Sequence, residues 1–521
     1  MALQQNGKEK TASDADVAET IETIDQQLTR LAKEAPPFYK SHSLFILYML
    51  IIPGCLMPAV TLGFDAAIMN GLQAVPAWDE YFDRPRGAIL GLLNAVIGLG
   101  CIVATPFISF VGDRWGRRFG IFFGAVIMLV GGVIQGASIN IAMFVVSRFI
   151  IGFGLVFANM YAPMLIGELA HPKDRQVITS LYQTSWYLGA ILAAWTTFGT
   201  FTIPNDWAWR IPSCLQAAPA SIQIADVWFL PESPRFLIAK GKPEQAKVFL
   251  FKYHGNSDDK SQLADLEYRE MRAVIEAEMA NNTGWRSLLK TPGNRRRILV
   301  LVLLGLFSQW SGNGLVSYYL VRVLETAGIT NKRHVNIING CLMIFNWITA
   351  VLSAFATGRV RRRTQFITSV AGMLAVFSAQ TLCAGLYNER GIKSAGYGVL
   401  AMLFLFYVFF NFAFNALLYS YPVEVLPYPI RAKGFSVLMF FNKGSSFVNG
   451  FVNPIGLQAL GWKYYIVYVV WLVVELVCVY LFFLETSGRS LEAIAEVFDG
   501  PLLVDAEKTR YDNDLHDVKK D

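Results

Sequence analysis

Twelve runs of about twenty apolar residues dominate the chain, and each is long enough to cross the ~30 Å hydrocarbon core of a bilayer as a helix. They lie near 44–70, 87–110, 119–138, 141–165, 176–200, 211–230, 298–322, 335–357, 366–387, 395–421, 434–458 and 463–484. Inside hydrocarbon every backbone N–H and C=O must find a partner within the segment, so such runs fold as α-helices. The predicted fold class is an all-α membrane protein with twelve transmembrane helices. Charged residues form 16% of the 521-residue chain, against about 25% in soluble domains, which argues against a soluble fold.

The net charge of +6 is less informative than its distribution. With the N-terminus placed inside, the inner segments hold 34 of the 45 Lys and Arg. The positive-inside rule then predicts that both termini are cytoplasmic. The first forty residues contain no apolar signal core, and the six cysteines (55, 101, 214, 341, 383 and 478) read as small packing residues within spans. Asn281-Asn282-Thr283 fits a glycosylation pattern but falls in a loop predicted to be cytoplasmic.

A polar stretch, 231–297, divides the spans six and six, and motifs recur across it. "GDRWGRR" (112–118) has a degraded counterpart in "GRVRRRT" (358–364). Glu168, seven residues before Arg175, matches Glu424, seven before Arg431. "LPESPR" (230–235) matches "LETSGR" (484–489). Three pairs at nearly one offset predict a duplicated six-helix unit. The segments are then a disordered cytoplasmic N-tail (1–43), a six-helix bundle (44–230), a cytoplasmic loop with short helices (231–297), a second bundle (298–484) and a C-tail (485–521). Asp113, Arg114, Arg117, Glu168, Arg175, Glu232, Arg235, Glu424, Arg431 and Glu485 form a candidate gate, whose salt bridges would lock the halves together at their inner ends. Ordinary topogenic surface charge is the competing reading.

Buried polar groups without partners are costly in hydrocarbon, so polar rows on helix faces point to water or ligand. Gln309, Asn313 and Ser317 share a face, as do Asn336, Asn339 and Asn346. Asn411 and Asn415 are four apart, and Asn442, Ser445, Ser446, Asn449 and Asn453 form another stripe. Gln183 stands among aromatics in "LYQTSWYLG", and Trp186, Trp310, Tyr318, Tyr319 and Tyr419 lie close in sequence to these amides. Amides and aromatic faces suit a neutral polyol. The alternative use of such amides is to join helix to helix. The charges left inside the spans are few, and Asp65, Arg148, Lys443 and Glu475 stand out among them. Asp65 and Arg148 can pair within one half, either as a proton-carrying site or as a static ion pair. Lys443 and Glu475 have no assigned role; a pair between them is one option.

"GDRWGRR", "PESPR", "ELAHPKDR", "PVEVLPYPIRAKG" and "ETSGRSLEAI" together resemble the sugar porters of the major facilitator superfamily, over residues 45–498. The strings "SQWSGNGLVSYYL" and "LYQTSWYLGAILAAWTTFGT" look most like the fungal lactose-permease and cellodextrin-transporter branch. The resemblance implies two six-helix halves with a sugar site between them and alternating access. It implies sugar contacts at Gln183, Gln309 and Asn346, and a proton-coupling role for Asp65 with Arg148. Asn411 falls at a sugar-contacting position and Tyr419 at the family's Trp, while Ser308 and Gly314 replace two polar residues of the span 7 motif. Asn313 and Asn442 complete the candidate sugar site.

The expectation is a plasma-membrane transporter that imports a neutral sugar, a disaccharide such as lactose or cellobiose, by proton symport. It needs no cofactor beyond the coupling proton, binds no nucleic acid, sits in the lipid bilayer and works as a monomer. A monosaccharide symporter and a non-transporting sugar sensor are the alternatives; the short C-tail counts against the sensor. No nucleophile–base set, phosphate loop or metal cluster supports an enzyme.

Overall fold

The computed structural model describes residues 24–487, apart from 259, 281–284, 358 and 427, together with Phe498. Among these residues twelve spans cross the molecule. Span 1 is His42–Ile51, a π-turn at Ile52–Leu56 and Met57–Ala74. Spans 2 to 5 are Gly87–Trp115, Arg117–Gly136, Ile141–Leu169 and Arg175–Thr200. Span 6 is broken into Trp207–Leu215 and Ala218–Asp226, and span 7 into Pro292–Trp310 and Asn313–Thr326. Spans 8 and 9 are Lys332–Thr357 and Arg362–Arg390. Span 10 is Lys393–Phe410, a π-turn at Asn411–Asn415 and Ser420–Val425; spans 11 and 12 are Tyr428–Leu460 and Tyr464–Phe482.

Length and hydropathy alone mark nine stretches of the described residues as able to cross a membrane, one of which, Lys433–Phe482, joins spans 11 and 12. Spans 5 and 6 are not among them, for two reasons. The sequence of span 5 is rich in Thr, Tyr and Gln, and span 6 is interrupted at Gln216 and Ala217, beside Pro212 and Pro219.

Lipid offers no hydrophobic gain for bringing helices together, so close packing must hold the bundle. Glycine supplies it at the crossing of spans 1 and 5. A Cβ at Gly63 would strike the Trp186 carbonyl, and one at Gly189 would strike that of Val60. The two halves meet mainly where span 2 packs on span 11 and span 5 on span 8.

The side that carries the 231–297 segment is termed the loop side, and the opposite one the far side. On the loop side, Pro234–Ala239, Pro243–Tyr253 and Gln262–Ala280 form a small helical layer. The N-tail departs from the expectation of disorder: Ile24–Glu34 is helical and sets Leu28 and Ala32 against Leu263. Its apolar residues recur at helical spacing and so find a partner surface. Cys55 and Cys101 are buried as expected; Cys214 is exposed but packs its sulfur against Gly136, and Cys341 is exposed. Residues 281–283 of the glycosylation pattern lie outside the described residues.

Candidate functional site

Asp65 lies on span 1, half a turn past the Gly63 crossing, and Arg148 lies on span 4. Both are buried, and Arg148 Nη1 stands 3.8 Å from Asp65 Oδ1. That separation gives charge attraction without a hydrogen bond. Gln216 makes the hydrogen bond instead, its Nε2 donating to the same Oδ1. It can do so because span 6 breaks at that point. Nε and Nη1 of Arg148 have no hydrogen-bond partner among the described residues. A buried ion pair with orphaned donors is poorly compensated for its desolvation, so it contributes little as a structural brace. Tyr318 and Tyr319 of span 7 lie within the field of Arg148, which ties this pair to the other half.

Span 7 bends where Ser311 ends its first helix and Gly312 takes φ +102. The glycine is required twice there: the conformation is left-handed, and a Cβ would press on the Phe377 ring. A second departure from helix follows at Tyr319. Span 1 reads the backbone that these breaks expose. Asn70 donates through Nδ2 to the carbonyls of Val316 and Ser317 and accepts from the Leu320 N–H at 3.1 Å. Gln73 donates to the Tyr318 carbonyl at 2.9 Å. These contacts join the two halves at the far side.

The amide stripes engage neighbouring spans in two sets, span 10 with spans 5 and 8, and span 11 with span 7. Asn411 is fully engaged: Tyr187 donates to its Oδ1 at 2.7 Å, and its Nδ2 donates to Thr349 Oγ1 at 2.8 Å and the Asn346 carbonyl at 3.3 Å. The residue therefore joins spans 5, 8 and 10. Asn346 keeps an unpartnered Oδ1 among the described residues, and Asn336 and Asn339 on the same span are unpartnered at both amide atoms. Asn313 accepts from Ser317, and Gln309, Asn313, Trp186 and Tyr419 are half-buried. Asn442 donates to Ser308 Oγ at 2.8 Å, and Asn449 donates to the Gln309 carbonyl at 2.7 Å. A Cβ at Gly314 would collide with the Asn449 amide. The small residues at 308 and 314 thus accommodate span 11.

On the loop side the duplicated motifs build the same network twice. The Arg117 and Arg118 N–H groups both donate to the carboxylate of Glu232, and those of Arg362 and Arg363 both donate to Glu485. Arg117 pairs with Glu168 at 3.6 Å, and Arg362 with Glu424 at 3.0 Å. Arg118 lies over Trp228 and donates to its carbonyl, as Arg363 does with Tyr480. Each of these contacts lies within one half. Arg175 does not pair with Glu168; it turns to Glu267 of the helical layer at 3.4 Å. Arg114 is exposed, Arg235 is half-buried, and neither joins these pairs. The side chains of Asp113, Gln183 and Arg431 lie outside the described residues.

The sugar (and other) transporter family matches residues 50–498. The chain belongs to this family, within the major facilitator superfamily. It is 30% identical to the hexose transporter HXT11 of Saccharomyces cerevisiae, over 78% of this chain and 73% of the yeast one. It is 28% identical to the MFS-type transporter criB of Aspergillus cristatus, over 84% and 90%, and 26% identical to the high-affinity glucose transporter of Kluyveromyces lactis, over 88% and 87%. The partially occluded inward-open structure of the xylose transporter XylE from E. coli shares the fold, with TM-score 0.71 and 21% identity over 85% of this chain and 99% of that one.

Within this sugar transporter, Gln216 is the residue near Asp65 that sequence reasoning missed. Its signal was available: a long polar side chain between two prolines, Pro212 and Pro219, in a predicted span. Asn70 and Gln73 were missed as well. They sit at the end of the most apolar part of span 1, and only the bend in span 7 gives them backbone to bind.

Proposed function

We propose that this transporter imports a neutral sugar by proton symport, with Asp65 as the coupling carboxylate. The observation that supports this most is the buried Asp65–Arg148 pair, held apart at 3.8 Å and shared with Gln216. When Arg148 withdraws, the buried carboxylate loses its counter-charge and takes up a proton; when Arg148 returns, the proton is released. Tyr318 and Tyr319 relate that exchange to span 7, whose face also carries Gln309 and Asn313.

The amides of Gln309, Asn313, Asn346, Asn411 and Asn442, with Gln183 and Tyr419, form the proposed sugar site. Asn411 and Asn442 act there by holding the spans in register. The proton is the only coupling ion invoked. The chain works as a monomer in the plasma membrane, with its loop side in the cytoplasm, as the basic loops favour. The two loop-side networks stiffen each half, so that the halves rock as units during alternating access.

A monosaccharide is the better-supported cargo. The space at Ser308 and Gly314 is filled by Asn442 and Asn449, and two relatives are named as hexose and glucose transporters. A disaccharide is the second reading, favoured by the lactose-permease-like strings in spans 5 and 7. Uptake of labelled glucose, xylose, lactose and cellobiose in a transport-null host, with and without a protonophore, separates them. Entry of a monosaccharide that the protonophore abolishes supports the first reading. Uptake indifferent to the protonophore contradicts symport.

A further inference from the structure

We propose that Glu475 is a second proton-binding site, separate from Asp65, which holds its proton and fastens the break in span 7. The residue lies on span 12 and is fully buried in the protein. Its two carboxyl oxygens stand 2.9 and 3.1 Å from Ser311 Oγ. Ser311 Oγ also reaches the Phe307 carbonyl, one turn earlier.

A hydroxyl has one hydrogen to give. If Glu475 were ionised, that hydrogen would have to serve either the carboxylate or the Phe307 carbonyl. A full charge would then lie buried with at most one donor, a costly state inside a membrane. If Glu475 is the acid, the count closes. Its O–H donates to Ser311 Oγ, and the Ser311 hydrogen donates to the Phe307 carbonyl. Among the described residues, Ser311 is the one polar group bonded to this carboxyl.

Among the described residues, the surroundings supply no counter-charge. One turn before Glu475, the Trp471 ring packs on those of Phe307 and Trp310, at 6.1 and 5.3 Å. Span 12 packs on spans 7, 9 and 11. The basic residues of span 7 are Arg295, Arg296 and Arg297 at its loop-side end and Arg322, which pairs with Glu325 toward the far side. Those of span 9 are at its two ends, where Arg362 and Arg363 bind Glu485 and Arg390 is exposed beside Glu389. Lys433 lies at the loop-side end of span 11, where the Arg431 side chain is outside the described residues, and the charge of Lys443 reaches Cys101 of span 2. On span 12 itself, Cys478 is an uncharged thiol three residues on, and the Tyr465 and Tyr468 hydroxyls are taken by Thr326 and by Asn449 and Asn453.

Ser311 caps the first helix of span 7, and the second begins two residues later at Asn313. The loaded acid therefore fixes the bend that carries Asn313 and Ser317 and presents the following backbone to Asn70. This role in closing the far side rests on the transport reading above; the protonation does not.

Infrared difference spectroscopy on the purified full-length protein in lipid nanodiscs at neutral pH tests the proposal without any transport step. Subtracting Glu475→Gln from wild type should reveal a carboxylic-acid carbonyl band. Ser311→Ala should move that band without removing it. A difference spectrum that shows loss of carboxylate bands in place of the acid band would overturn the proposal. Sugar exchange gives a second readout, because a glutamine keeps a donor for Ser311 and no charge. Exchange at the wild-type rate in Glu475→Gln supports the neutral acid, and its loss in a folded variant contradicts it.

Discussion

Gln216, and not Arg148, makes the hydrogen bond to Asp65. The carboxylate is thus held by a neutral amide on span 6, while its counter-charge on span 4 stands just beyond bonding distance. Such an arrangement lets the charge partner leave without stripping the carboxylate bare. A hydrogen bond to a charged group contributes about 1.5–3 kcal/mol, so Gln216→Leu should slow proton-driven uptake about tenfold or more. Sugar exchange without a proton gradient should be affected less. Parallel measurements of net uptake and counterflow check this, and equal losses in both would count against it.

Asn70 makes three hydrogen bonds to span 7. At about 0.5–1.5 kcal/mol each, their removal in Asn70→Ala should shift the far-side closure toward opening by about tenfold or more. The readout is labelling of a cysteine placed at Ser317 by a membrane-impermeant thiol reagent, with Cys214 and Cys341 replaced by serine. Faster labelling is expected; an unchanged rate would mean that other contacts hold the closure.

Arg362 joins Glu424 and, through its backbone, Glu485. These groups are partly exposed, so the ion pair is worth about 1 kcal/mol or less, and Arg362→Ala should lower the unfolding temperature by only ~1–4 °C. Its larger effect should be on turnover, since spans 9, 10 and 12 then move without their brace. Sugar affinity should be retained while maximal uptake falls.

The helical layer on the loop side should lose stability in acid. Burial, and then the charge of neighbouring His254, hold His171 down at about 4, and its Nδ1 accepts from the Lys173 N–H. Burial alone would raise Glu267, but His254 and Arg175 outweigh it and hold its carboxyl below the usual range. In both cases the unfolded chain binds more protons than the folded one, so stability falls as pH falls. For His171 the window runs from 6.5 down to about 4, and the contribution is complete above 6.5. For Glu267 it opens below the ordinary carboxylate value of 4.5. Thermal melts of the purified transporter from pH 7.5 to 4.5 should show this slope, and His171→Gln should flatten the part above pH 5.

The twelve spans, the duplication and the Asp65–Arg148 pair were legible because each leaves a periodic or compositional mark. A twenty-residue apolar run has few alternatives in lipid, and a lone charge within one asks for a partner. The loop-side motifs also pointed to Glu168, Glu232, Glu424 and Glu485, which bind arginines within their own half and not across the two halves as expected; their spacing could not reveal which arginine each would meet. The seven-residue step from Glu168 to Arg175 suggested a pair; chain reversal after span 4 carries Arg175 to Glu267 instead. Glu475 and Lys443 had no partner that sequence could choose, and the structure gives Glu475 to Ser311. Asn411 and Asn442 looked like free ligand amides because their hydrogen-bond partners lie on other spans, far away in sequence.

Whether Asp65 carries the coupling proton is decided by one variant. Asp65→Asn keeps the size and the hydrogen-bonding capacity of the side chain but cannot carry a proton. In proteoliposomes with an imposed proton gradient, the variant should exchange labelled sugar by counterflow at a rate close to wild type while failing to accumulate it uphill. Normal uphill accumulation by Asp65→Asn would mean that the coupling proton is carried elsewhere.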